Sequence, residues 1–243
     1  MEIELDFTKS ARGNAARYYE AAKKYKRKSA GAERALKKTK SRGIKAAPKK
    51  AVQTRRKKYK WFEQFHYFTT SGGLVVVAGK DAKQNELLVS KYLTERDLFF
   101  HADVVGASAT ILKDGLKAGD ACKREAAQWA CCYSRAWKSG SAVADAYCVN
   151  KEQVSKYSHG EYVGKGAFVI SGEREWFKNT LLELRVRFGE SAVAEPAVKE
   201  GEGIRLSPGG SEKIEVVKAL KSKFPAASQE ELAFIVPGAS ALQ

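Results

Sequence analysis

Four cysteines and three histidines are few for a chain of 243 residues, and their spacing excludes most metal and redox chemistry. Cys122, Cys131, Cys132 and Cys148 form no C-x-x-C pair, and adjacent Cys131 and Cys132 are poorly placed to bridge each other. They read as reduced residues filling a core. His66, His101 and His159 stand far apart. There is no P-loop, G-x-G-x-x-G, H-E-x-x-H or G-x-S-x-G. No catalytic residue, metal or cofactor is therefore assigned, and an enzyme is not expected. No run approaches the roughly 20 apolar residues that cross a bilayer. The acidic opening Met1–Asp6 lacks the basic and apolar regions of a signal peptide, so a cytoplasmic protein without a membrane partner is expected. Internal repeats are absent as well.

Positive charge, by contrast, is abundant. Lys and Arg number 44 against 28 Asp and Glu, a net of +16. Residues 1–60 hold 21 of the bases and 5 of the acids, so the whole excess sits there; the remaining 23 of each sign cancel. A hydrophobic content of 44% excludes wholesale disorder. The pattern is a basic arm on a neutral body, and such an arm most often meets phosphate. Its cations include Lys23, Lys24, Lys26, Arg27 and Lys28, then Arg55, Arg56, Lys57 and Lys58.

The arm is expected to be helical. Ala15, Tyr18, Ala22, Tyr25, Ser29, Ala32 and Leu36 follow a heptad spacing from Asn14 to about Arg42. Gly43 and Pro48 interrupt it, and a second basic helix over 49–58 would complete a hairpin with partial coiled-coil character. The body, 59–190, reads as an α+β domain with a mixed sheet and packed helices. It has a hairpin around Ser71-Gly72-Gly73, a helix from Asp81 to Leu93 with Gln84 in a capping box, and buried strands at 97–101 and 107–112. A single helix follows from a capping Asp120 to Lys138, then strands at 143–149, 166–171 and 181–188. Residues 191–210, rich in Ala, Gly, Glu and Pro, read as a linker. A small helical tail fills 211–243, with a capping box from Ser228 to Glu231.

Three polar clusters are candidate sites. Gly79–Glu86 follows a strand and opens a helix, where free N–H groups favour an anion; Lys80, Asp81, Lys83, Asn85 and Glu86 are its candidates. An ordinary cap with solvated charges is the equal alternative. His101 and Asp103, two apart on a strand, share a face beside Gly106-Ala107-Ser108, and Ser108 joins them as a candidate. Acid/base or metal work there stands against plain structural hydrogen bonding, which is commoner. Gln153, Ser155, Lys156, Tyr162 and Lys165 lie in a Gly- and Lys-rich stretch suited to a nucleic-acid backbone, with an aromatic to stack on a base. A plain surface loop explains that stretch equally well.

These clusters occur in a specific order. Lys60-Trp-Phe-Glu-Gln-Phe-His-Tyr-Phe68, Gly79-Lys-Asp-Ala82 with Gln84-Asn-Glu86, Tyr92-Leu93 and Asp97-Leu-Phe-Phe-His-Ala-Asp103 resemble the NFACT-R domain. Gly106-Ala-Ser108, Cys132-Tyr-Ser134 with Ala136-Trp137, Gln153-Val-Ser-Lys156, Gly160-Glu-Tyr162 and Gly166–Ile170 continue the resemblance to residue 172. Upstream, Leu5-Asp6, Asn14-Ala15 and Tyr18-Tyr19 resemble the coiled-coil segment that precedes this domain in longer family members. Two departures stand out. The family's N-terminal NFACT half is not in this sequence, so tail elongation and tRNA selection do not carry over. The family's usual Asp-x-His-Gly-Ala reads Asp103-Val-Val105-Gly-Ala107, so any function needing that second histidine would be lost.

The resemblance implies an RNA-binding module for tRNA or the large ribosomal subunit, acting in translation or ribosome-associated quality control. Two alternatives come from other classes. One is an RNA-processing or RNA-modifying enzyme using His101 and Asp103. The other is a scaffold docking a separate protein that supplies NFACT-N-like functions.

Overall fold

Large apolar residues alternate along several short segments between residues 66 and 150, and a period of two places them on both faces of a sheet. The computed structural model describes residues 5–8, 10–41, 60–158, 161–189 and 191–243. They fall into two compact units, Met1–Lys57 and Lys58–Gln243.

The first unit carries one long helix, α1 (Ala11–Ser41). Ser10 accepts the Gly13 N–H at 3.1 Å, and the buried Asn14 side chain bonds both the N–H and the carbonyl of Asp6, each at 2.9 Å. The spacing of small and aromatic residues thus does produce a helix. Its stripe is solvent-facing within this unit, with Tyr25 68% and Leu36 57% exposed, and coiled-coil character is not shown. The second helix expected over 49–58 lies outside the described residues.

In chain order the second unit contains β1 (His66–Thr69), β2 (Val75–Ala78), α2 (Ala82–Leu87), β3 (Leu98–Ala102), β4 (Thr110–Leu112), α3 (Asp120–Cys132), α4 (Arg135–Lys138) and β5 (Val143–Asn150). Short ribbons β6 (Val154–Ser155), β7 (Tyr157–Ser158), β8 (Glu161–Tyr162) and β9 (Val169–Ile170) come next. Then follow β10 (Glu175–Leu181), β11 (Leu184–Phe188), β12 (Ala192–Pro196), β13 (Ile204–Ser211), α5 (Lys213–Lys223), α6 (Gln229–Ile235) and β14 (Ser240–Leu242). The main sheet has the order β1-β2-β4-β3-β5-β10, and a second has β12-β11-β13-β14. The α+β class stands, but the sheet expected to be mixed is antiparallel in its pairings.

Both faces of the main sheet are covered. Phe68, Val76, Leu98, Phe100 and Leu112 pack with Trp129, Ala126 and Ala130 of α3. Val77, Phe99, Ile111, Tyr147 and Val149 pack on the other side with Phe65, Leu88 and Leu93. The same alternation therefore buries every residue of Leu98-Phe99-Phe100, which explains its continuous apolar character. All four cysteines are free and buried. Burial pushes the Cys131 and Cys148 thiols up to about 12, away from any reactive thiolate.

Three expectations need correction. The helix expected over 120–138 breaks at Tyr133–Ser134. Ser134 Oγ donates to the Cys131 carbonyl at 2.7 Å and accepts the Ala136 N–H at 3.1 Å, so it ends one helix and caps the next. The N-cap of α3 is Gly119, with Asp120 in the first turn. Residues 191–210 are no linker: β12 and β13 both pair with β11. Their strand character hides because Ala192 and Ala194, not larger residues, face the core, and because buried Glu195 is held by Arg185, Arg187 and Lys199. The C-terminal helices belong to the same core. The Tyr133 hydroxyl donates to the Ile235 carbonyl at 2.7 Å, and Trp137 Nε1 to the Ala239 carbonyl at 3.0 Å. No helix among the described residues is long and apolar enough to cross a membrane.

Candidate functional site

The segment after β2 is shaped by close packing. A Cβ on Gly79 would lie 2.2 Å from Asn85 Oδ1 and 2.9 Å from its backbone N, so the turn needs glycine. Asn85 Oδ1 accepts the Ala109 N–H at 3.1 Å and ties α2 to the chain entering β4. Asp81 accepts the Gln84 N–H at 2.8 Å, while Gln84 Oε1 reaches back to the Lys80 N–H at 3.1 Å. Most of this motif is therefore architecture, and its product is the position of Lys80.

A second device fixes the loop before β9. Lys156 Nζ lies 2.8 Å from Glu86 Oε2, which also accepts the Gly166 N–H at 3.0 Å. Lys156 further donates to the Ala167 carbonyl at 2.8 Å. Gly166 has a φ of +78°, and a Cβ there would lie 2.7 Å from Ala82. The loop is thereby pressed onto the start of α2, presenting Lys165.

Between these segments lies a cleft of about 930 Å³ at one end of the main sheet, where β2 and β3 finish and β1 begins. Its lining holds five cations, Lys80, Arg135, Lys138, Lys165 and Lys213, against one acid, Asp81. None of the five forms an ion pair among the described residues. The neutral total of residues 61–243 thus conceals a local concentration of positive charge. Aromatic rings flank it on both faces of the sheet. His66 stacks on Tyr133 at 4.0 Å between ring centroids and lies 5.0 Å from Phe234. Lys80 Nζ sits 3.9 Å from the Phe234 centroid. On the other face, His101 stacks with Phe99, which contacts Phe168.

The electrostatics follow from burial and crowding. His66 is lowered to about 3, by burial first and then by the charges of Lys80 and Lys213, so it is neutral at physiological pH. Its Nδ1 is buried without a hydrogen-bond partner. Lys80 is lowered by burial, with Asp81 opposing; Lys213 is lowered by burial and then by Lys138. Burial lowers His101 too, with the Ala102 and Ala107 backbone and the Asp103 charge acting the other way.

Of the residues proposed from sequence, Lys80, Asp81, Asn85, His101, Ser108 and Lys165 come together at the cleft. Glu86, Lys156 and Gln153 are outside the lining and hydrogen-bonded within the fold; Gln153 Nε2 donates to the Ser171 and Glu173 carbonyls. Ser155 Oγ accepts the Tyr157 N–H at 3.0 Å in a local turn. Lys83 is exposed away from the lining. His101 lines the cleft, whereas Asp103, exposed just beyond the end of β3, is outside the lining; its N–H donates to the Asp145 carbonyl at 2.8 Å, and its charge still acts on the His101 imidazole. Val105, where the family histidine would stand, lines the cleft yet is 86% exposed. Lys23, Lys24, Lys26, Arg27 and Lys28 are exposed on α1. Arg55, Arg56, Lys57, Lys58 and the Tyr162 side chain lie outside the described residues. Sequence reasoning missed His66, Arg135, Lys138, Lys213 and Phe234. The only available signal was the run His66-Tyr67-Phe68, since Lys213 and Phe234 arrive from segments read as tail. No group of three or more potential metal ligands occurs among the described residues.

Cations without ion-pair partners beside aromatic rings in one cleft are features that anion- and nucleic-acid-binding modules share. Comparison with known proteins is more specific: residues 64–172 match the family described as NFACT protein RNA binding domain. The chain carries an NFACT-R domain over those residues. It is 41% identical over 180 residues to the archaeal Rqc2 homolog aRqcH of Methanocaldococcus jannaschii, covering 70% of this chain and 27% of that one. It is 34% identical over 233 residues to the ribosome quality control complex subunit NEMF of Mus musculus, covering 91% of this chain and 22% of that one. The chain thus spans about a quarter of the length of these relatives. The solved C-terminal part of the fibronectin/fibrinogen-binding protein from Streptococcus suis aligns with a TM-score of 0.42 at 23% identity, covering 52% of this chain and 49% of that one.

Proposed function

We propose that this protein binds RNA through the cleft at the end of its main sheet and acts in ribosome quality control, with tRNA or the large ribosomal subunit as its target. The observation that carries this reading is five unpaired cations against one acid in a cleft built largely by the NFACT-R residues. Helix α1 adds five exposed cations over Lys23–Lys28, a sequence-independent source of affinity. We read the module as a binder and not as a catalyst. Burial disfavours a protonated His101, and Asp103 is exposed outside the lining, an arrangement that favours binding over proton transfer.

The test is direct binding. Labelled tRNA, large ribosomal subunits and an unstructured RNA of equal length are titrated with the full chain at several salt concentrations. Salt-sensitive binding with tRNA or the large subunit preferred is the expected result. Absence of binding to all three, or affinity indifferent to salt, would overturn the proposal.

A further inference from the structure

The cations of the cleft are not evenly spread. His66 stacks on Tyr133 on the face of β1 that carries Phe68; Lys80 Nζ lies 3.9 Å from the Phe234 ring that His66 contacts at 5.0 Å, and Lys138 and Lys213 line the same cleft. Lys80 and Lys213 both act on the imidazole, and Lys138 acts on Lys213. Three ammonium groups from three separate elements therefore converge without a paired carboxylate: the turn after β2, the end of α4 and the start of α5. Such crowding costs free energy, and a ligand with more than one negative charge relieves it. An internal phosphodiester carries one charge, whereas a phosphomonoester carries about −1.5 to −2 at neutral pH. The opposite face of the sheet end offers His101 and Phe168, flat groups suited to a base. A volume of about 930 Å³ suits a bound nucleotide and falls in the range of single-ligand pockets.

We infer that the part of the cleft bounded by Lys80, Lys138 and Lys213 is a subsite for the phosphomonoester of a nucleotide, presented as the terminal nucleotide of an RNA or as a free nucleotide. The inference deepens the RNA-binding proposal and rests on it for the RNA-terminal source. The lysines hold the phosphate while the base lies towards His101 and Phe168. An RNA would therefore enter by its end, or by a nucleotide at a nick, and not lie across the cleft as a continuous strand.

The experiment uses the full chain and a ten-nucleotide RNA in three forms: 5′-phosphorylated, 3′-phosphorylated and hydroxyl-ended. Adenosine 5′-monophosphate and adenosine form a separate arm. At least one phosphorylated RNA end should bind tenfold or more tightly than the hydroxyl-ended RNA. In the double variant K138Q/K213Q that ratio should fall close to one, while K138R/K213R, which keeps both charges, should retain it. Discrimination confined to the mononucleotide arm would assign the subsite to a free nucleotide and count against the RNA proposal alone. A ratio near one in both arms of the natural chain, or one that survives K138Q/K213Q, overturns the inference. If RNA binds in that case, the RNA-binding proposal stands without it.

Discussion

Two sets of five cations make the division of labour in this protein measurable. One set, Lys23, Lys24, Lys26, Arg27 and Lys28, is exposed along a single helix. The other, Lys80, Arg135, Lys138, Lys165 and Lys213, lines a shaped cleft. Each contact with a single-stranded phosphate contributes about 0.7 to the slope of log affinity against log salt. If all five cleft cations meet phosphate, they contribute about 3.5, a loss of roughly a hundredfold between about 50 and 200 mM salt. Replacing Lys80 and Lys165 with glutamine should therefore reduce the slope by about 1.4 and flatten the preference among RNAs. Neutralising the helix set should reduce the slope as well but leave the order of preference intact, because an exposed helical face reads charge and not shape. Fluorescence anisotropy of labelled RNA across that salt range measures both quantities. An unchanged slope and ranking in K80Q/K165Q, with the whole salt dependence lost in the helix variant, would refute the role given to the cleft.

The scaffold makes two further predictions. Asp97 is buried at the start of β3 and accepts hydrogen bonds from Lys113, from the Thr94 N–H and hydroxyl and from the Asp114 N–H; Asp97→Ala should cost about 3 kcal/mol in urea unfolding, since the pair is broken and its donors are stranded. Burial pushes the Asp97 carboxyl up, but those hydrogen bonds more than reverse it and hold it below its usual value. Its stabilisation is therefore present at neutral pH and lost as pH falls through that lowered value, and the acid-unfolding curve of the alanine variant should lack this component. Gly79→Ala should destabilise by about 1–3 kcal/mol, because the new methyl meets Asn85 backbone that cannot move freely. Thermal denaturation measures it, and an unchanged midpoint would show that the turn can shift.

Local chemistry was legible where local chemistry decides. Asp81 caps α2, Ser228 and Glu231 form their box, and Leu98-Phe99-Phe100 is a buried strand. The failures have one physical cause. Ala192–Pro196 and Ile204–Ser211 become strands because β11 offers a partner, not because their own residues demand it. The break after α3 depends on Ser134, and it tips Trp137 towards a C-terminal segment a hundred residues away.

The amino-acid sequence alone determined the basic helix, the α+β character of the body and the order of motifs that mark an NFACT-R domain. Spacing and capping are properties of neighbours in the chain, so they can be read there. Tertiary structure alone decided that the neutral body holds a cationic cleft, and that Lys138 and Lys213 join Lys80 and His66 in its lining. Net charge is a sum over sequence, whereas a binding site is a sum over space, and only folding converts one into the other.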